Sequence, residues 1–199
     1  MYDNSKADLR INGSGSASGG NYNIVKISGT GKISGDITCS EFHISGSGEV
    51  DGNMESEIFK INGSGNVQGN LKSQEIKVNG SASFYGEISC SAVTISGSAD
   101  ISKNVDAQMV KINGSAKIKG DCNAEKFYSN GAFEIGGLLN ADDIDVDLYW
   151  SRSQVREIGG ESIRVRRGAN RHEGSRSSRF NRSILFSIIG YVDRCSDYF

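Results

Sequence analysis

Eight glycines divide most of the chain into near-equal intervals, and this spacing constrains the fold more than any other sequence feature. Each follows Ser or Asn, and all but the last have an apolar residue two positions earlier. The first interval is 16 residues and every later one is 17. A short fixed period predicts a solenoid, in which each repeat stacks only on its neighbours. The glycines are Gly13, Gly29, Gly46, Gly63, Gly80, Gly97, Gly114 and Gly131.

Apolar and polar residues alternate within each interval, counted from its leading glycine. Positions −4, −2, +4 and +8 are mainly apolar, and the residues between them are mostly polar. Period-two alternation in short β-branched segments predicts strands with one buried face. The core rungs at position −2 are Ile27, Ile44, Ile61, Val78, Ile95 and Ile112.

Three short strands per interval, separated by corners of small residues, predict an all-β, three-sided, single-stranded β-helix. About eight turns at roughly 4.8 Å each would make a rod about 38 Å long, followed by a modified C-terminal turn. A second glycine at position +6, as in Gly35 and Gly52, suits tight corners that need positive φ. Stacked Ser and Asn at positions −1 and +1 predict ladders of hydrogen bonds along the rod.

The charge distribution marks a boundary near the end of the repeats. Residues 1–150 carry 12 basic and 19 acidic side chains, a net charge of −7, whereas residues 151–199 carry 10 and 5, a net charge of +5. We therefore predict a polar tail at 1–8, a core at 9–167 with an irregular last turn or cap at 144–167, and a tail at 168–199. This tail is rich in arginine, is expected to be disordered, and includes a short apolar segment.

The sequence favours a cytoplasmic location. Residues 1–10 are polar, so we expect no signal peptide, and no apolar run approaches the roughly 20 residues that span a bilayer. Cys39 and Cys90 occupy the same repeat position three turns apart, roughly 14 Å along the stack, which is too far for a disulfide. They are expected to be reduced thiols.

The repeats resemble those of the bactofilins, bacterial polymer-forming cytoskeletal proteins. Segments such as IVKISGTGKISGDITCS and IFKINGSGNVQGNLKSQ carry the resemblance, which covers about residues 9–141. The segment EIGGESIRV also resembles Firmicute-type members. It implies a right-handed β-helix that polymerises end to end into non-polar filaments without nucleotide. It also implies scaffolding in cell shape, envelope organisation or motility, with envelope or motility proteins as partners, and brings no catalytic motif.

Self-association also has a physical basis, because a β-helix ends in open strand edges and an exposed apolar cross-section. The homopolymer interface is predicted at the first turn and at the last regular turn. The alternative is a monomeric or dimeric β-helical adaptor that presents its faces to a partner. The predicted interface residues are Leu9, Ile11, Phe127, Phe133, Ile135 and Leu139.

Two basic features suggest other contacts. Lys26, His43, Lys60, Lys77 and Lys111 form a stripe at position −3, which we interpret as a solvated face rather than a site for an anionic lipid, cell-wall polymer or acidic partner. The tail would contact an anionic membrane peripherally at the inner face of the cell membrane. The alternatives are a disordered end or a strand that packs back on the rod. The tail residues concerned are Arg179, Arg182, Ile184, Leu185, Phe186, Ile188 and Ile189.

An enzyme is not expected. The repeats carry no long insertion before Ser151 that would hold clustered catalytic side chains, and His43 and His172 stand alone. No Cys-x-x-Cys or His pair suggests a metal site, and no cofactor is predicted. Nucleic-acid binding is also disfavoured, because the repeat region is acidic and its basic stripe lacks interleaved aromatic residues.

Overall fold

The computed structural model describes residues 6–148, 153–167, 180–181 and 186–188, and within these ranges every regular element is a strand. The strands stack into a β-solenoid of about nine turns. They are β1 Leu9–Ile11, β2 Ser14–Asn21, β3 Ile24–Ile27, β4 Thr30–Ile44, β5 Ser47–Val50, β6 Met54–Ile61, β7 Ser64–Val67, β8 Leu71–Val78, β9 Ser81–Phe84, β10 Ile88–Ile95, β11 Ser98–Ile101, β12 Val105–Ile112, β13 Ser115–Ile118, β14 Cys122–Ser129, β15 Ala132–Leu148, β16 Gln154–Gly159, β17 Ser162–Arg167, β18 Phe180–Asn181 and β19 Phe186–Ile188.

Each regular turn contributes three paired segments, as the sequence predicts. In the turn of β5 and β6, one segment is Ser47–Val50, and β6 pairs through 54–56 and again through 58–61. Glu57 lies between these two segments and is skipped in the pairing, so the long strand supplies two separate paired segments. Each segment pairs in parallel with its equivalent 17 residues away. The solenoid and its 17-residue period are therefore confirmed.

The rod is filled by columns of apolar side chains. All six predicted core rungs at position −2 are at most 1% exposed. Phenylalanines pack between turns, with ring centroids 5.5 Å apart for Phe42 and Phe59 and 6.1 Å for Phe59 and Phe84. One continuous core runs from Ile11 to Ile158. Each fully buried aliphatic or aromatic side chain contributes about 2 kcal/mol relative to an exposed one.

The leading glycines are required by close approach between turns. A Cβ atom built on Gly46 would overlap the carbonyl oxygen of Gly29 in the turn before, and Gly63 and Gly80 meet the same obstacle one and two turns later. At position +6 the expectation of positive φ is wrong for all described glycines except Gly35, whose φ is 97°. Gly52 and its successors are needed there because their backbones nearly touch the turn before.

Small residues at position +2 make room for the core rungs. A Cβ on Gly48 would lie 2.8 Å from Cδ1 of Ile44. One turn reverses this arrangement, because Ser129 replaces the rung and Phe133 replaces the small residue. The Phe133 ring then packs edge-on against Phe127 at 5.2 Å, and Ser129 Oγ donates a hydrogen bond of 3.1 Å to the carbonyl of Gly131. The volume lost at one column is restored at the other.

The last turn is longer than the others. Leu139 pairs with Ile158 and Ile144 with Ile163, a displacement of 19 residues, while Ile135 and Val155 are displaced by 20. A register shift between Ile135 and Leu138 accommodates this change. This longer last turn continues the parallel stack through β16 and β17.

Part of the C-terminal tail returns to this last turn. β18 pairs antiparallel with β17, and β19 pairs antiparallel with β16. These two strands comprise five residues of the predicted tail, 180–181 and 186–188.

Candidate self-assembly surfaces

The first turn presents an open strand edge. Among the described residues, β1 pairs only with β3, and β2 pairs only with β4. A Cβ atom on Gly13 would meet nothing within 4 Å, whereas the equivalent glycine of every later regular turn would collide with the turn before it. Among the described residues, none pairs with the N–H and C=O groups on this side of the turn, which is the arrangement of an open strand edge.

The apolar surface of the first turn is concentrated on one side. Leu9 is half-buried and Ile11 is 9% exposed, and both pair with the following turn through β3. On the β2 side, Ala17 and Gly20 stand opposite Ile33 and Ile37 of the next turn. Small residues thus stand at the positions that later turns fill with large side chains, and Leu9 keeps part of its apolar side chain exposed.

Residues just before β1 also belong to the turn. The carbonyl of Ala7 accepts a 2.9 Å hydrogen bond from the N–H of Asn23, and Oδ1 of Asp8 accepts one of 3.3 Å from the N–H of Ile24. The Arg10 guanidinium, which bonds Asp8 at 3.2 Å, is the main cause that lowers the pKa of this carboxyl. The predicted polar tail therefore takes part in the fold at Ala7 and Asp8.

The second predicted interface lies inside the rod. Phe127 and Leu139 have no exposed surface, Ile135 is 1% exposed, and Phe133 is 6% exposed. The reason is that the following turn covers them: Phe127 is paired with Ile144, and Leu139 with Ile158. The outermost turn at this end is β16 and β17, whose edge carries the half-buried Ile163 and Val165, 38% exposed.

The predicted membrane-contact residues fall largely outside the described residues, as Arg179, Arg182, Ile184, Leu185 and Ile189 do. Phe186 and Ile188 lie in β19, which pairs with β16. The part of the chain that the structure describes contains no helical segment long and apolar enough to cross a bilayer.

Comparison with protein families decides what kind of protein this solenoid is. A family model described as bactofilin, polymer-forming cytoskeletal, matches residues 3–89 and 59–140, more than half of the chain. The chain belongs to the bactofilin family. This bactofilin is thus a member of a structural, polymer-forming cytoskeletal family. Searches of curated proteins and of solved structures found no match.

The basic stripe of this bactofilin is only partly neutralised. His43 lies 2.8 Å from Glu41, and Lys77 lies 2.6 Å from Glu75, both on the same face. Among the described residues, Lys26, Lys60 and Lys111 have no ion-pair partner. Two acidic side chains of the repeat region, Asp36 and Asp121, accept hydrogen bonds from backbone N–H groups of the next turn.

Sequence reasoning missed a hydrogen-bond ladder at position +7. Asn53 Oδ1 accepts a 2.9 Å hydrogen bond from the N–H of Asn70, and Asn70 Oδ1 accepts one of 2.9 Å from the N–H of Glu87. Asp36, Asn104 and Asp121 accept from the next turn in the same way. The signal was the recurrence of Asp and Asn at one repeat position. At position −1, where a ladder was predicted, Asn79 Nδ2 donates to Asn62 Oδ1 at 2.8 Å.

A polar groove of about 580 Å³ follows one corner of the bactofilin rod at positions +9 to +11. It is lined mainly by hydroxyl and amide groups, and the ion pair of Lys72 and Glu55 bridges it at 3.0 Å. Cys39 and Cys90 lie along it, and burial raises the pKa of each thiol to about 12. Protonated thiols are poor nucleophiles. Within the described ranges, no group of three or more His, Cys, Asp or Glu side chains could hold a metal ion.

Proposed function

We propose that this bactofilin assembles end to end into nucleotide-independent filaments that act as a cytoplasmic scaffold for cell shape, envelope organisation or motility. The observation that carries the proposal is the open edge of the first turn. β1 and β2 each use one side for pairing with the next turn, and no part of the described chain stacks below Gly13. The family adds polymer formation as its general property.

Two first turns can satisfy each other's edges. A two-fold contact places the same surface on both copies, so Leu9 of one copy meets the first turn of the other. Strand pairing would satisfy the free N–H and C=O groups, and covering the exposed part of the half-buried Leu9 would add about 1 kcal/mol per copy. No cofactor takes part, because backbone pairing and apolar burial supply the association energy.

The test is electron microscopy and sedimentation of the full chain in nucleotide-free buffer, alongside Leu9→Arg and Leu9→Arg/Ile11→Arg. Leu9→Arg is the sharper variant, because Leu9 is only half-buried whereas Ile11 belongs to the core. Asn66→Arg, on an exposed position at mid-rod, is the matched control for added charge. We expect filaments for the parent and the control and none for the Leu9 variants, with unchanged circular dichroism for Leu9→Arg.

Two results would count against filament formation through the first turn. Filaments that persist in Leu9→Arg would move the contact elsewhere, and particles that stay monodisperse in the parent would favour the adaptor. Addition of ATP or GTP should change neither the amount nor the length of the filaments. A requirement for either nucleotide would contradict the proposed mechanism.

The adaptor is the second candidate, and the unpaired cations of the basic stripe favour it. Lys26, Lys60 and Lys111 would suit an acidic partner or an anionic surface. Peripheral membrane contact through 179–189 is a separate proposal that rests on sequence. Co-sedimentation with anionic vesicles tests binding to an anionic surface through either region. Lys60→Gln/Lys111→Gln should weaken binding through the stripe, and Arg179→Gln/Arg182→Gln should weaken binding through the tail.

A further inference from the structure

The two ends of the solenoid differ in what covers their strand edges. At the first turn, no described segment pairs with the outer side of β1 or β2. At the last turn, β16 lies between β15 and β19, and β17 lies between β15 and β18. One end is thus open, and the other is covered by the chain's own C-terminal strands.

This cover occupies the backbone N–H and C=O groups with which a further turn would pair. A strand has one row of N–H and C=O groups on each side, and β15 already occupies one side of β16 and β17. On the other side, Val155 is paired with Ile188 and Ile163 with Phe180. While these pairings are in place, a second molecule cannot pair with the same edge.

The cover is short compared with the pairing inside the rod. β18 and β19 are two and three residues long, and each is paired at two positions, whereas β6 and β8 are paired at seven. The edge beneath also keeps apolar surface, since Ile163 is half-buried and Val165 is 38% exposed. A longer strand edge with its own apolar side chains would pair with β16 and β17 more extensively than these five residues do.

We propose that the edge of β16 and β17 is a second assembly surface, that its partner is a second copy of this chain, and that β18 and β19 compete with that copy. This inference rests on the proposed function, because it describes how end-to-end growth is restrained. A molecule whose cover is in place adds no further copy at this end, so filaments of the parent grow only from molecules whose cover has been released. Release of β18 and β19 opens the second end and allows growth in both directions.

The experiment uses the full chain with Phe186→Pro/Ile188→Pro, at the two paired positions of β19. Proline has no N–H and disfavours strand pairing, so β19 should leave β16 and uncover that part of the edge while the rod remains. Ser196→Pro, outside the described strands, is the matched control. Hydrogen exchange at 155–158 reports the cover, and sedimentation together with electron microscopy reports polymer. We expect faster exchange in β16 and a sedimented fraction about threefold to tenfold higher than for the parent and the control.

Leu9→Arg in the Phe186→Pro/Ile188→Pro background separates this inference from the proposed function. If both ends associate, this combination should form pairs through β16 and β17, where the cover variant alone forms long filaments. Unchanged exchange at 155–158 would overturn the inference, and so would faster exchange without more polymer. Absence of assembly in every protein, together with faster exchange in the cover variant, would instead refute end-to-end assembly as such.

Discussion

The first turn and the interior turns both pair in parallel with the turn that follows, but they bury different side chains. In the interior, every position +4 is a large apolar residue such as Val67 or Phe84, each at most 2% exposed. The first turn has Ala17 there, and its β2 is almost entirely Ser, Gly and Asn. The β2 side of the first turn therefore joins the stack mainly through backbone pairing, whereas the interior turns also bury large side chains.

This difference predicts where a mutation matters. An interior residue is held by the turns above and below, so its replacement disturbs three rungs. A residue of the first turn has one neighbouring turn, and its other side faces water or a partner. Matched substitutions at equivalent positions should therefore separate the energetics of stacking from those of assembly.

The largest effect is expected from Ile112→Asp compared with Leu9→Asp. Ile112 has no exposed surface, and a carboxylate there would lie among apolar side chains such as Ile95, with the Ser129 hydroxyl of the next turn as the nearest polar group in its column. We expect a loss of about 4 kcal/mol in the free energy of unfolding, against about 1 kcal/mol for the half-buried Leu9. Urea unfolding followed by circular dichroism measures both.

An Ile112→Asp variant as stable as the parent would mean that position −2 faces solvent. Equal losses at the two positions would mean that the first turn is covered as completely as the interior. Ile112→Val provides the control for lost volume, since it should cost only about 1 kcal/mol.

A smaller effect is expected from a single methyl group at the leading glycines. The new Cβ of Gly80→Ala would overlap the carbonyl of Gly63, whereas that of Gly13→Ala would meet nothing within 4 Å. We expect Gly80→Ala to lower the free energy of unfolding by about 3 kcal/mol, and Gly13→Ala by less than about 0.5 kcal/mol. Thermal unfolding at low protein concentration measures this difference without a contribution from assembly.

Gly13→Ala also reports on the end contact. If a second copy stacks on the first turn as closely as turns stack inside the rod, Gly13→Ala should reduce assembly while leaving the monomer stable. Equal destabilisation by Gly13→Ala and Gly80→Ala would contradict the open edge, because it would require a close neighbour below Gly13.

The architecture could be predicted because each repeat has the same alternation of apolar and polar residues. Alternation at Ile44, Val50 and Met54 places these residues inside, and the constant interval fixes which residues pair. The exchange of Ser129 and Phe133 could not be predicted this way, since two columns compensate each other only in space. The reason for glycine at position +6 could not be predicted either, because the sequence does not show how closely the backbones of neighbouring turns approach.

The candidate surfaces were predictable only where the repeat begins. Leu9 stands at the first turn by its position alone. Phe127 and Leu139 were placed at an end because the motif fades after Ala141, but strands 154–159 and 162–167 continue the stack over them. The return of β18 and β19 depends on long-range antiparallel pairing, for which a repeat pattern gives no signal.

The smallest effect is expected within the ladder at position +7. Asn70 Oδ1 accepts a 2.9 Å hydrogen bond from the N–H of Glu87, and the N–H of Asn70 donates at 2.9 Å to Asn53. Asn70→Ala leaves one N–H without its acceptor, which should cost about 1 kcal/mol. Glu87→Ala is the matched control one turn later, because the exposed Glu87 side chain takes no part in the ladder and its loss should cost almost nothing.

The ladder also sharpens the contrast with the first turn, where Gly19 and Gly20 stand next to the start of the column and supply no side-chain acceptor. Hydrogen exchange at the Glu87 amide measures the effect directly, since Asn70→Ala should accelerate it while the amide of Asn70 stays protected by Asn53. Equal exchange in Asn70→Ala and the parent would mean that water replaces the side chain without loss. Faster amide exchange in every turn would mean that the loss of one ladder hydrogen bond destabilises the whole solenoid. The comparison between turns would then fail, because it assumes that the turns are independent.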